Sequence, residues 1–275
     1  MRPYLDIVRY VLENGEYKEN RTGTDTFAVA GVMFKHDMRG GFPLLTTKQM
    51  ARKSILVELE GFIKGVTDKE WYQERGCHIW DEWCNPQKVP YGHDEETKRR
   101  MLEERDLGRI YGAQWRDFGG VDQLAKLVNT LVTDPNSRRM IVSAWNPPEL
   151  GQMALEPCHW GYQVTVIGDR LHLLWNQRSV DTMLGLPFNI ASYATLLHLL
   201  SLHVGIEAGT LTGFLGDTHI YADHIEGARE QIEREPLPLP HIETRDFTSI
   251  FDWEHTQTTF REYKHHPKIE FPIAV

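Results

Sequence analysis

The chain has 275 residues, 41% hydrophobic and 25% charged, which is enough apolar material for a sizeable core and an ordinary charge content for a soluble protein. Its formal net charge of -9 argues against non-specific nucleic-acid binding, so an anionic ligand must be met by arginines gathered locally. Cys77, Cys84 and Cys158 follow no disulfide pattern, an acidic residue interrupts the short apolar run near the N-terminus, and no stretch reaches membrane-spanning length. A cytoplasmic, reducing setting is the expectation, with no membrane and no specific nucleic acid as partner.

In chain order, a first helix is expected over 3–12, with Pro3 near its start and Gly15 beyond its end. The polar loop Arg21-Thr22-Gly23-Thr24-Asp25-Thr26 leads into a strand over 26–34. A long helix follows Thr46-Thr47, with Ile55, Leu59, Phe62 and Ile63 at helical spacing and Glu58 beside that stripe. Gly61 inside it costs about 1 kcal/mol relative to Ala, which suggests a close contact there. The next helix spans 67–75, capped by Thr67 and stopped by Gly76. Residues 85–106 carry the charge run Asp94-Glu95-Glu96-Thr97-Lys98-Arg99-Arg100 and read as a solvated surface insertion with a short helix.

An amphipathic helix over 121–131 ends at Asp134-Pro135. Arg138-Arg139 then opens a strand continuing over 140–145. Strands over 162–167 and 171–175 form a hairpin across Gly168-Asp169. The nearly all-apolar segment 190–204 is a buried helix for which Asn189 is a natural N-cap. A strand over 210–215, a polar helix over 222–234 and a stiff connector over 236–240 follow. The chain finishes in the apolar Phe271-Pro272-Ile273-Ala274-Val275. Strands and helices mix without βαβ regularity, so the class is α+β, organised as one domain over 1–275.

The chemistry-bearing residues each have two readings. Cys158 is a candidate nucleophile if cations or hydrogen-bond donors favour its thiolate, or else a small core residue. His159 cannot form a dyad with it, because neighbours in a strand face opposite ways. Arg21, Arg138, Arg139 and Arg178 are candidate phosphate ligands or surface charges. Asn189 is a helix cap, or a carboxamide that matches the donor and acceptor of a uracil edge. In Asp217-Thr218-His219-Ile220-Tyr221, His219 and Tyr221 can reach a sugar hydroxyl, or the segment caps a helix. Trp80 and Trp83 can stack on a planar ligand or fill the core. Histidines lack metal-ligand spacing, and there is no phosphate loop or dinucleotide fingerprint.

The order of the surrounding motifs is more specific than any single residue. Arg21-Thr22-Gly23-Thr24, Phe42-Pro43-Leu44-Leu45-Thr46-Thr47-Lys48, Ile79-Trp80-Asp81-Glu82-Trp83 and Tyr111-Gly112-Ala113-Gln114-Trp115-Arg116 occur in sequence. They are followed by Asp134-Pro135-Asn136-Ser137-Arg138-Arg139, Pro157-Cys158-His159, Gln177-Arg178-Ser179, Gly185-Leu186-Pro187-Phe188-Asn189 and Gly216-Asp217-Thr218-His219-Ile220-Tyr221. Nearly end to end, the chain resembles the folate-dependent thymidylate synthases. The resemblance implies a mixed, bulged β-sheet packed by helices, with one sheet face forming a homodimer interface. It implies reductive methylation of dUMP to dTMP, with 5,10-methylenetetrahydrofolate as cosubstrate, dihydrofolate as by-product and no metal.

The same resemblance implies individual roles. Cys158 adds to C6 of the uracil, Glu58 organises water for proton transfer and Tyr111 assists at C5. Arg21, Arg178 and Ser179 hold the phosphate, joined by Arg138 and Arg139 from the other subunit. Asn189 reads the base, His219 and Tyr221 hold the ribose hydroxyl, and Val180 and Ile220 complete the nucleotide contacts. Asp181, which also counts among the catalytic and nucleotide-contacting groups, binds the pterin; Trp80 and Ala274 contact the folate, and the apolar tail closes over the ligands. The chain departs from the family pattern at Ala51, Glu60, Gly61, Trp160 and Gly161. Two other functions stay open: a dUMP hydroxymethylase, in which water replaces hydride in the last step, and a non-catalytic nucleotide-binding protein.

Overall fold

The computed structural model describes residues 1–20 and 23–273. Arg21 and Ala274, both given roles by the resemblance, lie outside the described residues. Among the described residues the chain forms α1 (Arg2–Asn14), β1 (Glu16–Lys18), β2 (Thr26–Asp37), α2 (Arg52–Lys64), α3 (Lys69–Glu74), α4 (Glu95–Glu103), α5 (Tyr111–Arg116) and α6 (Gln123–Thr133). It continues with β3 (Ile141–Ser143), β4 (His159–Ile167), β5 (Arg170–Asp181), α7 (Gly185–Val204), β6 (Glu207–Tyr221), α8 (Ile225–Glu233), β7 (His241–Thr244) and β8 (Thr258–Arg261).

Six strands form one mixed sheet in the order β1-β2-β6-β5-β4-β3, in which only β5 and β6 run parallel. Its register shifts between His159 and Gly161 and between Leu171 and Leu173, so the sheet is bulged, as expected. Alternate residues of β5, Leu171, Leu173 and Trp175, are buried in the core together with α7 residues such as Ile190, Leu196 and Leu200. The second sheet, β7 with β8, is short and polar and was not foreseen from sequence.

Four local expectations are corrected. Helix α7 begins at Gly185, because Pro187 is tolerated in a first helical turn; Asn189 is therefore inside the helix and not its N-cap. The segment Asp217–Tyr221 stays in strand β6, held by β2 on one side and β5 on the other, so it caps no helix. Strand β3 starts at Ile141, which leaves Arg138 and Arg139 on the loop before it. The cap of α3 is Asp68, whose carboxylate accepts the Glu70 N–H at 2.9 Å, and not Thr67.

The 85–106 segment is better anchored than a solvated insertion. Met101 of α4 packs with Cys84 and Val89 in a small cluster of its own. The buried Lys69 ammonium donates to the carbonyls of Asp81 (2.9 Å), Trp83 (3.2 Å) and Met101 (2.8 Å), tying the segment to α3.

Packing accounts for the two departures in α2. The buried Glu60 carboxylate accepts from Lys64 Nζ at 2.5 Å, from the His255 N–H at 2.9 Å and from His255 Nδ1 at 2.7 Å. Gly61 makes room for Tyr72: a Cβ there would fall on the phenol ring, whose hydroxyl donates to the Val66 carbonyl at 3.1 Å. Gly61→Ala is therefore expected to destabilise the fold by about 1–3 kcal/mol through overpacking, despite the better helix propensity of alanine. Urea unfolding checks this, and a variant as stable as the parent would show that Tyr72 does not require the glycine.

Candidate active site

Three strand ends bring the nucleotide candidates together. Cys158 lies immediately before β4, and its carbonyl accepts the Arg178 N–H at 2.8 Å. In the parallel β5–β6 ladder Ser179 stands beside Asp217, and Asp181 beside His219. The antiparallel β2–β6 ladder places Tyr221 opposite Thr26. His219 Nδ1 meets Asp217 Oδ1 at 2.9 Å, and the Tyr221 ring sits edge-on to His219 at 5.3 Å.

Arg178 also holds the backbone that carries the thiol. Its Nε donates to the Pro157 carbonyl at 3.0 Å and its terminal nitrogen to the Glu156 carbonyl at 2.9 Å, with the guanidinium over Trp145. Two guanidinium nitrogens thus clamp the turn before Cys158. From the other side, the Tyr111 hydroxyl accepts the Cys158 N–H at 2.9 Å. The cysteine is half-buried, unlike the buried Cys77 and Cys84. Burial pushes the Cys77 thiol up to about 12, which makes it a poor nucleophile at neutral pH.

Behind Cys158 lies an aromatic wall. The Tyr111 ring stacks on His159 at 4.2 Å and on Phe62 at 5.0 Å, and Trp80 meets it edge-on at 6.2 Å. His159 turns inward, bonds Tyr193 through Nδ1 at 2.8 Å and is held to about 3 by burial, so it is neutral. This agrees with the expectation that it forms no dyad with Cys158. Trp160 is exposed instead on a shallow depression with Met33 and Phe214, on the sheet's outward face.

Glu58, from the middle of α2, is buried in this interior. Burial pushes its carboxyl up to about 8, against a smaller opposing pull from the Trp80 indole. Burial raises Tyr111 and Tyr193 above the usual phenol range, with Cys158 and then Glu58 adding to it for Tyr111, and Tyr162 and then Glu58 for Tyr193. The Trp80 indole N–H is itself buried without a protein partner in hydrogen-bond geometry. A carboxyl that titrates near neutrality is suited to passing protons, and the orphaned donor beside it can serve a water or ligand.

Asp181 closes β5 and organises the entry to α7, with Oδ1 accepting the Met183 N–H at 2.9 Å and the Leu184 N–H at 3.1 Å. Buried Asn189 accepts from Gln177 Nε2 at 3.1 Å. Gln177 is oriented by accepting the Trp175 indole N–H at 3.1 Å and donating to the Ser179 carbonyl. Asn189 therefore keeps its NH₂ group and one oxygen lone pair for another partner.

Three contributors were not singled out individually from sequence. Gln177 follows the inward alternation of Leu171, Leu173 and Trp175, a period-two signal for a buried polar residue. Lys48 is buried, donates to the Met183 carbonyl and is lowered to about 8 by burial, with the Asp181 charge pulling it back up. His224, the third, is buried and contacts Tyr221 and the C-terminal strap.

Not every candidate joins the cluster. Arg138 and Arg139 are exposed and have no ion pair among the described residues. The side chains of Val180 and Ile220 are fully buried, so a ligand can meet only their backbone. Among the described residues there is no group of His, Cys, Asp or Glu able to hold a metal, and no helix is long and apolar enough to cross a membrane.

A half-buried thiol, a buried carboxyl near neutrality and a sheet end lined by polar side chains make a cluster suited to covalent chemistry on a small polar substrate. The chain matches the family model described as thymidylate synthase over residues 2–275, essentially its whole length, and belongs to the thymidylate synthase family. Membership makes it an enzyme of the methyltransferase class acting in dTMP biosynthesis.

Proposed function

We propose that this protein is a thymidylate synthase that methylates dUMP to dTMP, with Cys158 as the covalent nucleophile. The observation that carries the reading is the half-buried Cys158, held between the Tyr111 hydroxyl and the Arg178 clamp, with the buried carboxyl of Glu58 acting on the same Tyr111. Cys158 Sγ attacks C6 of the uracil, and the electron pair moves through C5 onto O4. Asn189 presents its NH₂ group to O4 and its oxygen to N3–H, in the orientation fixed by Gln177. The negative charge on O4 thus meets a fixed donor. Proton removal from C5 falls to the Tyr111 side of the pocket, with Glu58 passing the proton through water. His219 and Tyr221 hold the ribose, and Arg178, Ser179 and Arg21 hold the phosphate.

The pterin site has a fitting donor set. Asp181 offers a carboxylate oxygen beyond its two backbone bonds, and the buried Trp80 N–H, though it acts on the Glu58 carboxyl, meets no protein acceptor in hydrogen-bond geometry. 5,10-Methylenetetrahydrofolate supplies the one-carbon unit and the hydride there, leaving as dihydrofolate.

The protein acts as a homodimer through the outward sheet face. Met33, Phe214 and Trp160 are exposed together around one shallow depression on this face, and Ile141 is exposed on the edge strand; exposed apolar residues grouped in this way suit a subunit contact. Arg138 and Arg139 flank Ile141, where a second copy would receive them at its phosphate site.

Water in place of hydride in the final step gives a hydroxymethylase. The two unusual residues that bear on this alternative do not reach the reacting centre: Trp160 faces outward, and Gly61 accommodates Tyr72. The deciding experiment incubates the protein with dUMP and methylenetetrahydrofolate, follows dihydrofolate absorbance and weighs the nucleotide. Dihydrofolate with dTMP is the expected outcome. Hydroxymethyl-dUMP with tetrahydrofolate would overturn the synthase reading, and no product at all would favour a non-catalytic nucleotide binder.

A further inference from the structure

Asp217, His219 and Tyr221 alternate along β6, so their side chains share one face of the strand. Opposite them on β2 stand Ala30, Ala28 and Thr26, and Thr26 stands in turn opposite Lys18 of β1. The two small alanines let the long Lys18 side chain cross β2, and its ammonium donates to Asp217 Oδ2. The second oxygen, Oδ1, meets His219 Nδ1 at 2.9 Å. One carboxylate thus stands between a lysine of β1 and the buried histidine of β6, with one oxygen turned to each.

This arrangement decides where the imidazole proton sits. Burial pulls the Asp217 carboxyl up, but the hydrogen bonds from Lys18 and His219 outweigh it and hold the group below its ordinary value. An ionised carboxylate only accepts, so Nδ1 of His219 carries the proton. In the neutral ring Nε2 is then an acceptor, which suits the proton of a sugar hydroxyl. Lys18 acts on the orientation of the group between them: an ammonium only donates, so it demands an acceptor on its side. The Lys18 and Asp217 side chains are 59% and 30% exposed, so their ion pair adds little to stability and its consequence is geometric.

We propose that Lys18 and Asp217 are positioning residues that fix His219 as the Nδ1–H tautomer, so that Nε2 accepts from the 3′-hydroxyl of the nucleotide and selects for ligands that carry it. The contact with the nucleotide rests on the synthase reading, whereas the tautomer does not.

Asp217→Asn reverses the tautomer for a reason that only this arrangement supplies. Lys18 draws the amide oxygen to itself, the NH₂ group then faces Nδ1, and the ring proton moves to Nε2. With Lys18→Met added, the amide is free to turn its oxygen to Nδ1–H, and the original tautomer returns. Lys18→Met alone leaves the carboxylate on His219 and changes little. Nitrogen-15 NMR at about pH 8.5, above the ordinary imidazole range, reads the tautomer, with the His219 signals assigned by comparison with His219→Gln. The proton is expected on Nδ1 in the parent, in Lys18→Met and in the double variant, and on Nε2 in Asp217→Asn. Titration calorimetry at the same pH compares dUMP with 2′,3′-dideoxyuridine 5′-monophosphate, which lacks the hydroxyl. The preference for dUMP should fall about fivefold in Asp217→Asn and return to within about twofold of the parent in the double variant. A purely structural role for Asp217 gives no such recovery. An unchanged tautomer in Asp217→Asn, an equal weakening of both nucleotides, or a double variant no better than Asp217→Asn overturns the proposal. If the parent protein binds no dUMP, the synthase reading fails, while the NMR spectra still judge the tautomer.

Discussion

Cys158→Ser is expected to lower turnover at least about 10³-fold while leaving the dissociation constant for dUMP within about threefold. Serine keeps the shape, and its backbone N–H can still donate to the Tyr111 hydroxyl, so the turn held by Arg178 is preserved. Only the nucleophile changes. A serine hydroxyl ionises far less readily than a thiol, and the adjacent His159 cannot activate it, because it is turned into the core and bonded to Tyr193. The phosphate, ribose and base contacts come from other residues, so nucleotide binding survives. Single-turnover kinetics with isothermal titration of dUMP makes the comparison. Near-normal turnover removes Cys158 as the nucleophile, and lost binding makes it a structural residue.

Glu58→Gln should lower kcat by about 10²–10⁴-fold and change the pH dependence of stability in a defined direction. The glutamine is nearly isosteric but cannot carry a proton through the cycle. In the folded protein burial raises the Glu58 carboxyl from its ordinary 4.5 to about 8. Folding therefore takes up a proton at this site between pH 4.5 and 8. The stabilising contribution is full below about 4.5 and is lost as pH rises through 8, because the folded protein must then hold a buried charge. Glu58→Gln removes that charge, so its stability relative to the parent should improve with rising pH, by a few kcal/mol between pH 5 and 9. Urea midpoints at those two pH values test the sign. A stability difference that stays constant, or moves the other way, would show that Glu58 is not a buried carboxyl of raised pKa.

The sequence made the site more legible than the fold around it. Cys158, Arg178, Asn189 and the His219–Tyr221 pair sit in short motifs whose order alone pointed to the family. Their surroundings were harder to read because tertiary pairing overrode local signals. A strand was expected only over 210–215, yet β6 runs from Glu207 to Tyr221 with neighbours on both sides. The apolar run suggested a helix over 190–204 capped by Asn189, yet α7 starts at Gly185, since proline at 187 is at home in a first helical turn. Strands β7 and β8 are short and polar and carry no periodicity strong enough to detect. Lys69 looks in sequence like any surface lysine; only the three carbonyls converging on it from distant positions make it a buried anchor.

The departures from the family pattern were also clarified by packing. Glu60 reads as a misplaced charge in an apolar helix until Lys64 and His255 are seen around it. Trp160 follows the nucleophile directly in sequence, but its side chain lies on the outward face, where it contributes to the apolar patch proposed as the dimer surface.

The proposed reaction turns on a covalent bond between Cys158 and C6 of the nucleotide. It can be observed by replacing the C5 hydrogen of dUMP with fluorine, which cannot leave as a proton does, so that the reaction stops with the nucleotide attached. After incubation with this analogue and methylenetetrahydrofolate, the denatured protein is digested and its peptides are weighed. A stable mass increase, containing both nucleotide and folate, is expected on the peptide bearing Cys158. The same mass on a peptide bearing Cys77 or Cys84, or no covalent mass from a preparation that turns over dUMP, would contradict it.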